Sequence, residues 1–144
     1  MAVQTYINFN GNCREAVEFY AEVFNTEKPR IMLFGDVPSK EGFPLAEETK
    51  NLVMHSELKI KESAVMFSDV PPDMPLVVGN NISLVIGSRD MDEIKLLFNK
   101  LKVDGTVVMD LQETFWSKCY GFLIDKFGIG WQLSYESEQT EMSK

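Results

Sequence analysis

Two stretches of the chain alternate apolar and polar residues and then switch to a helical period, in the same order both times. Residues 3–9 set Val3, Thr5, Ile7 and Phe9 against Gln4, Tyr6 and Asn8, the pattern of a strand with two different faces. Gly11 punctuates it. Asn12 then stands as an N-cap with Glu15 three residues on, a capping box, and Ala16, Val17, Tyr20, Val23 and Phe24 recur at helical spacing. Asn25 suits the end of that helix. Short strands are predicted over 30–34, 52–60 and 63–68, the last two joined by a turn at Lys61 and Glu62.

The plan then repeats. Residues 82–87 predict a strand, Asp90 caps a helix with Glu93 three on, and Met91, Ile94, Leu97, Phe98 and Leu101 form its buried stripe. A strand over 104–111 follows. Setting Asn12 over Asp90 puts Glu15 over Glu93, Ala16 over Ile94 and Tyr20 over Phe98, the trace of an internal duplication. The two copies are module one, about 1–68, and module two, about 81–135. Between them, 69–80 holds three prolines and reads as a linker; 136–144 is a polar tail. Residues 35–50 form a polar loop longer than most connections, of the length used for lids or dimer arms.

The stretch 115–135 is the most informative. Residues 119–125 and 131–135 alternate as two strands, broken at Lys126, Phe127 and Gly128, with Gly128 suited to a positive φ and Asp125 to accepting N–H groups across the turn. Its residues also carry a resemblance. Residues 111–116, reading LQETFW, then Tyr120-Gly121 and Asp125, Phe127, Gly128 and Trp131, are similar to the C-terminal signature of PhnB-like proteins. These are a branch of the vicinal-oxygen-chelate superfamily, with glyoxalase I, bleomycin-resistance proteins and extradiol dioxygenases. Phe9 to Cys13, Ala16 and Phe19-Tyr20 resemble the start of the same family. The resemblance spans about 3–135 and implies an α+β fold: one glyoxalase-like domain of two βαβββ modules, forming a cup-shaped mixed sheet with helices on its outer face. It also implies a homodimer. Three positions depart from the signature: Ser117 stands where the family has Gly, Cys119 where it has Arg, and Lys126 where it often has Pro.

Composition narrows the function. The chain has 144 residues, enough for a substantial core, and 44% hydrophobic content, which is globular. Its formal charge of −8 argues against a nucleic-acid or anionic-membrane surface. The two cysteines, Cys13 and Cys119, suit a reducing compartment, and the longest uncharged run, 74–88, holds Pro, Gly and Asn and cannot span a bilayer. With no signal peptide, the expectation is a cytoplasmic protein.

The chemistry is sparse. In metal-dependent relatives, four inward-facing His, Glu or Gln side chains on the first and last strands of the modules hold a divalent ion. The resemblance maps them onto Thr5, Phe67, Asn81 and Gln132. Only Gln132 is of the right kind, so neither metal nor other cofactor is expected. The same positions, with Ser83, Trp116 and Ser134, mix hydrogen-bonding groups with aromatic walls and make a candidate ligand pocket. His55, the only histidine, shares a strand face with Glu57 and Lys59. Paired with Glu57 it is a candidate general acid/base couple; otherwise the face is simply solvated. Cys119 is read as a structural thiol, because Lys118 points to the opposite face and cannot activate it.

Three readings stand at this point. One is a metal-independent small-molecule binder, another a metal-dependent enzyme of the lyase, isomerase or dioxygenase kind whose metal is held outside the mapped positions, with His55 and Glu57 the best candidates, the third a dimeric assembly module without a ligand. The methyltransferase activity associated with PhnB-like names has no Gly-rich nucleotide-binding motif behind it.

Overall fold

The computed structural model describes residues 1–37 and 46–137; positions 38–45 of the long loop and 138–144 of the tail lie outside the described residues. The chain folds as two compact units that divide between Val77 and Val78. In the first, β1 (Thr5–Phe9), α1 (Cys13–Val23) and β2 (Arg30–Leu33) lead through a 3-10 turn and a one-turn α2 (Glu47–Lys50) to β3 (Val53–Ile60) and β4 (Ser63–Asp69). The second runs β5 (Ser83–Ser88), α3 (Met91–Leu101), β6 (Thr106–Gln112), β7 (Tyr120–Ile124) and β8 (Gly130–Tyr135). The sheet orders are β1-β4-β3-β2 and β5-β8-β7-β6, one permutation used twice. In each, the first strand pairs parallel with the last and the other pairs are antiparallel. This is the α+β arrangement of two βαβββ modules expected from the repeat.

Each sheet buries one face under its own helix. In the first unit, Ala16, Val17, Tyr20 and Val23 of α1 are buried, and Tyr20 stacks on Phe67 of β4 at 5.9 Å between centroids, with Phe9 of β1 stacked on Phe67 at 6.3 Å. In the second, Ile94, Leu97, Phe98 and Leu101 of α3 meet Leu123, Trp131 and Leu133, while Met91 is only half-buried. Gly121 is required there: a Cβ would come within 2.7 Å of the Phe98 ring and 2.8 Å of Leu111.

The helix starts differ in a way the local sequence does not show. Asp90 caps α3 as its spacing predicts, accepting from the N–H groups of Asp92 and Glu93 at 3.0 and 3.2 Å. Glu93 does not close the box directly. Ser88 Oγ donates to Glu93 Oε1 at 2.8 Å and accepts from Asp90 N at 3.0 Å. At α1, Asn12 occupies the cap position but its side chain makes no capping bond. Asp69 takes over: its Oδ1 accepts from Gly11 N at 2.8 Å and Cys13 N at 3.0 Å, and its Oδ2 from Val53 N at 2.9 Å. The reason is register. Phe9 lies opposite Asp69, so β4 ends where α1 begins and delivers a buried carboxylate to the helix N-terminus. Asp69 is therefore the last residue of β4 and not part of a linker.

The 115–135 hairpin turns as its residues predict. Gly128 has φ +88°, and Asp125 Oδ1 accepts from Phe127 N at 2.8 Å and Ile129 N at 3.1 Å. Asp125 Oδ2 accepts from the indole Nε1 of Trp131 at 2.8 Å, which pins the ring in the core. No helix among the described residues is long and apolar enough to cross a membrane.

Candidate functional site

Strand alternation sorts each sheet into a helix-covered face and an open one. On β8, Trp131 and Leu133 are buried beneath α3, which leaves Gly130, Gln132 and Ser134 on the open side. Their neighbours in register on β7 are Ile124, Phe122 and Tyr120, and on β5 they are Ser83, Val85 and Gly87.

Gln132 joins this face together along two diagonals. The Tyr120 hydroxyl donates to Gln132 Oε1 at 2.7 Å, and Gln132 Nε2 donates to Ser83 Oγ at 2.8 Å. Burial pushes the Tyr120 phenol above its usual range, so it remains a protonated donor at neutral pH. The Ser83 hydrogen and a lone pair on Tyr120 oxygen stay available to a ligand. Trp116 stands edge-on to Tyr120 at 5.2 Å, and Phe115 edge-on to Trp116 at 4.7 Å. Phe115 is 97% and Trp116 46% exposed, large apolar rings placed in water beside a preorganised polar row.

The loop that presents them is held by one of the departures from the family signature. Ser117 is buried; its Oγ lies 2.9 Å from Tyr135 O and 3.0 Å from Cys119 O and accepts from Cys119 N at 3.2 Å. Thr114 closes the turn, its N–H on Ser117 O at 2.8 Å. Sequence reasoning missed Ser117 and Tyr120 as parts of this arrangement, although Tyr120 lay inside the quoted signature. Their signal would have been pairing: Tyr120 sits one diagonal from Gln132.

Of the seven positions taken as a pocket, Ser83, Gln132 and Trp116 come together here, with Ser134 on the same face. Phe67 does not share such a face. It is fully buried against Tyr20 and Phe9, on the α1 side of its sheet. Thr5 alternates with exposed Tyr6 and shares its side with Phe9, so it too faces α1. Asn81 precedes β5, is exposed, and stands outside the hydrogen-bonded row.

The open face of the first sheet carries Tyr6 and Asn8 of β1, Met66 and Ser68 of β4, and His55 and Glu57 of β3. The imidazole meets the Tyr6 phenol, O to Nδ1 3.4 Å and ring centroids 5.8 Å apart, and not Glu57. Ser68 Oγ lies 3.2 Å from Asn8 Oδ1. Glu57 is exposed and sits in register with Arg30.

A divalent ion is poorly served by these residues. The side chains that face away from the helices on β1, β4, β5 and β8 are phenol, amide, thioether, hydroxyl and aliphatic groups, and both polar atoms of Gln132 are already bonded. Glu136, one step past β8, packs its carboxylate where a Cβ on Gly87 would fall. Among the described residues no three His, Cys, Asp or Glu side chains converge.

Both thiols are buried. Burial, with the nearby Asp69 carboxylate adding to it, pushes the Cys13 thiol from 9.0 up to about 12. The thiol is thus neutral and unreactive in the fold. Native protein at pH 8 is expected to resist iodoacetamide at Cys13 and to react once denatured, read by intact mass. As pH rises from about 9 toward 12, the unfolded thiol ionises while the native one stays protonated, so stability should fall through that window.

Comparisons agree with this architecture. A family model described as 3-demethylubiquinone-9 3-methyltransferase matches residues 1–134. Protein YjdN of Escherichia coli is 30% identical over 145 residues, covering 96% of this chain and 98% of YjdN. The crystal structure of protein PA1353 from Pseudomonas aeruginosa is 34% identical with a TM-score of 0.82, covering 94% of this chain and 98% of that one. A PhnB protein from Bacillus cereus is 27% identical with a TM-score of 0.69, covering 94% and 100%. At the level of fold alone, a glyoxylase/bleomycin resistance protein/dioxygenase domain from Frankia matches at 10% identity and a TM-score of 0.65, covering 95% and 98%. The match over residues 1–134 places the chain in the PhnB-like family, that of the 3-demethylubiquinone-9 3-methyltransferase model, and its doubled βαβββ plan is a glyoxalase-like fold.

Proposed function

We propose that this protein binds a neutral small molecule, without a metal, on the open face of its second sheet. The observation that carries the reading is the Tyr120–Gln132–Ser83 row with the Phe115 and Trp116 rings beside it. Ligand sites combine apolar surface with a few fixed polar groups, and here the polar groups are already aligned by one another. The row carries no formal charge, so it suits a ligand offering one acceptor and one donor rather than an ion. Turning the Gln132 amide over reverses the sense of the row and exchanges which end donates.

Trp116 is exposed and Trp131 is 2% exposed, so ligand binding reads out as a change in Trp116 fluorescence. A small-molecule screen on chelator-stripped protein is expected to yield ligands that lose about 10-fold in affinity with Gln132→Leu or Tyr120→Phe, roughly 1.4 kcal/mol. His55→Ala should leave that binding intact. A metal-dependent enzyme of the lyase, isomerase or dioxygenase kind is the second reading, supported by the Tyr6–His55 contact; under it, His55→Ala would abolish turnover. A protein with no ligand response in either variant series would be an assembly module. We also propose that the protein forms a homodimer: β6 is an edge strand with Val107, Val108 and Met109 exposed, a surface open to pairing, and sedimentation would report it.

A further inference from the structure

The open face of the first sheet gathers soft donor atoms around the one imidazole. Met32 of β2 lies directly opposite His55 of β3 in register, so the two side chains share a face with their Cβ atoms about 5 Å apart. Met66 of β4 lies opposite Glu57 on one side and Tyr6 on the other, which puts it on the same face, one diagonal from His55. The Tyr6 hydroxyl reaches His55 Nδ1 at 3.4 Å, and β4 runs between their two strands. The Tyr6 side chain therefore crosses the strand that carries Met66. Methionine is commonly core filler, but Met32 is 45% exposed and Met66 only half-buried.

The imidazole is held as a metal ligand is. Histidines that bind metals donate the N–H of their other ring nitrogen to a fixed oxygen, which sets the tautomer and the ring orientation. With Nδ1 donating to the Tyr6 oxygen, the lone pair falls on Nε2. Thioethers serve hard divalent ions badly, but thioether and imidazole together suit a soft monovalent ion. The other soft donors, the thiols of Cys13 and Cys119, are both buried, which leaves the methionines as the accessible sulfur.

We propose that His55, Met32 and Met66 bind copper(I), with Tyr6 positioning the imidazole. The site lies in the first unit and does not depend on the Tyr120–Gln132–Ser83 row in the second. It takes an ion of a different class from the divalent metals that these sheets serve poorly.

The test is a titration of the full chain with copper(I), kept reduced by ascorbate without oxygen, in competition with bicinchoninate. Silver(I) in chloride-free buffer serves as the ion for NMR. With 13C-labelled methionine methyls, the signals of Met32 and Met66 are expected to shift out of the eight methionines, together with the His55 ring, and to saturate at one ion per chain. Tyr6→Phe removes the partner that orients the ring and should weaken copper(I) about 10-fold. Met32→Leu and Met66→Leu keep apolar bulk and should each weaken it at least as much, while Met74→Leu at another exposed methionine should not. A thermal melt shows that each variant folds. Shifts spread over all methionines, shifts confined to residues flanking Cys13 and Cys119, or full affinity in the Met32→Leu, Met66→Leu double variant would overturn the proposal.

Discussion

Asp125→Ala is expected to lower the stability of the protein by about 4 kcal/mol, the largest loss predicted for a single change here. The carboxylate is 3% exposed and accepts from two backbone amides and the Trp131 indole. Removing it leaves these donors without an acceptor, each costing about 1–3 kcal/mol when buried, and a total near 4 kcal/mol is a large share of a stability of about 5–15 kcal/mol. Asp125→Asn makes the physical reason visible. It can keep the Oδ1 bonds to Phe127 and Ile129, but its NH2 would face the Trp131 N–H, donor against donor. Its loss should be about half that of the alanine variant, measured by urea denaturation with Trp131 emission as the probe.

Asp69→Ala is expected to cost nearly as much, by a different route. The partners of Asp125 lie within six residues of it, so its loss opens a hairpin turn. The partners of Asp69 are Gly11, Cys13 and Val53, and its loss detaches the start of α1 from the ends of β3 and β4. About 3–4 kcal/mol is expected, with the helix-start amides losing hydrogen-exchange protection first. If Asn12 were the working cap, Asn12→Ala would cost about 1 kcal/mol; with its side chain making no capping bond, a few tenths are expected.

The contrast between these aspartates explains what could be read from the sequence. Asp125, Gly128 and Asp90 act on neighbours within a few residues, and their roles followed from local turn and cap chemistry. The repeat was legible too, because apolar spacing fixes which stripe of α1 and α3 is buried, and the same sheet order in both halves follows from it. Asp69 was not legible. Nothing near it in sequence shows that β4 lies parallel to β1 with Phe9 opposite, and three prolines just beyond it suggest a linker.

The site failed in a similar way, by one residue. On a strand a shift of one position exchanges the faces, and Thr5 and Phe67 were both placed on the open side when they belong to the core under α1. Tyr6 and Met66, their neighbours, are the residues that face outward. In the second module Ser83 and Gln132 share the open face, because the Gly128 turn fixes the register of β8. His55 was correctly put on the face away from Ser56, Leu58 and Ile60, but its neighbour proved to be Tyr6, two strands away, rather than Glu57 on its own strand.

Binding of a ligand on the second sheet, without help from a metal, is open to direct test. It is tested most directly by 15N NMR of chelator-stripped protein against a library of small polar aromatic compounds. Hits are expected to shift Ser83, Tyr120, Gln132 and the Trp116 indole, unchanged when Zn, Ni, Mn, Co or Fe(II) is supplied. Hits that appear only after one of those ions is added, or that shift His55 and Tyr6 and leave Gln132 unmoved, would contradict it.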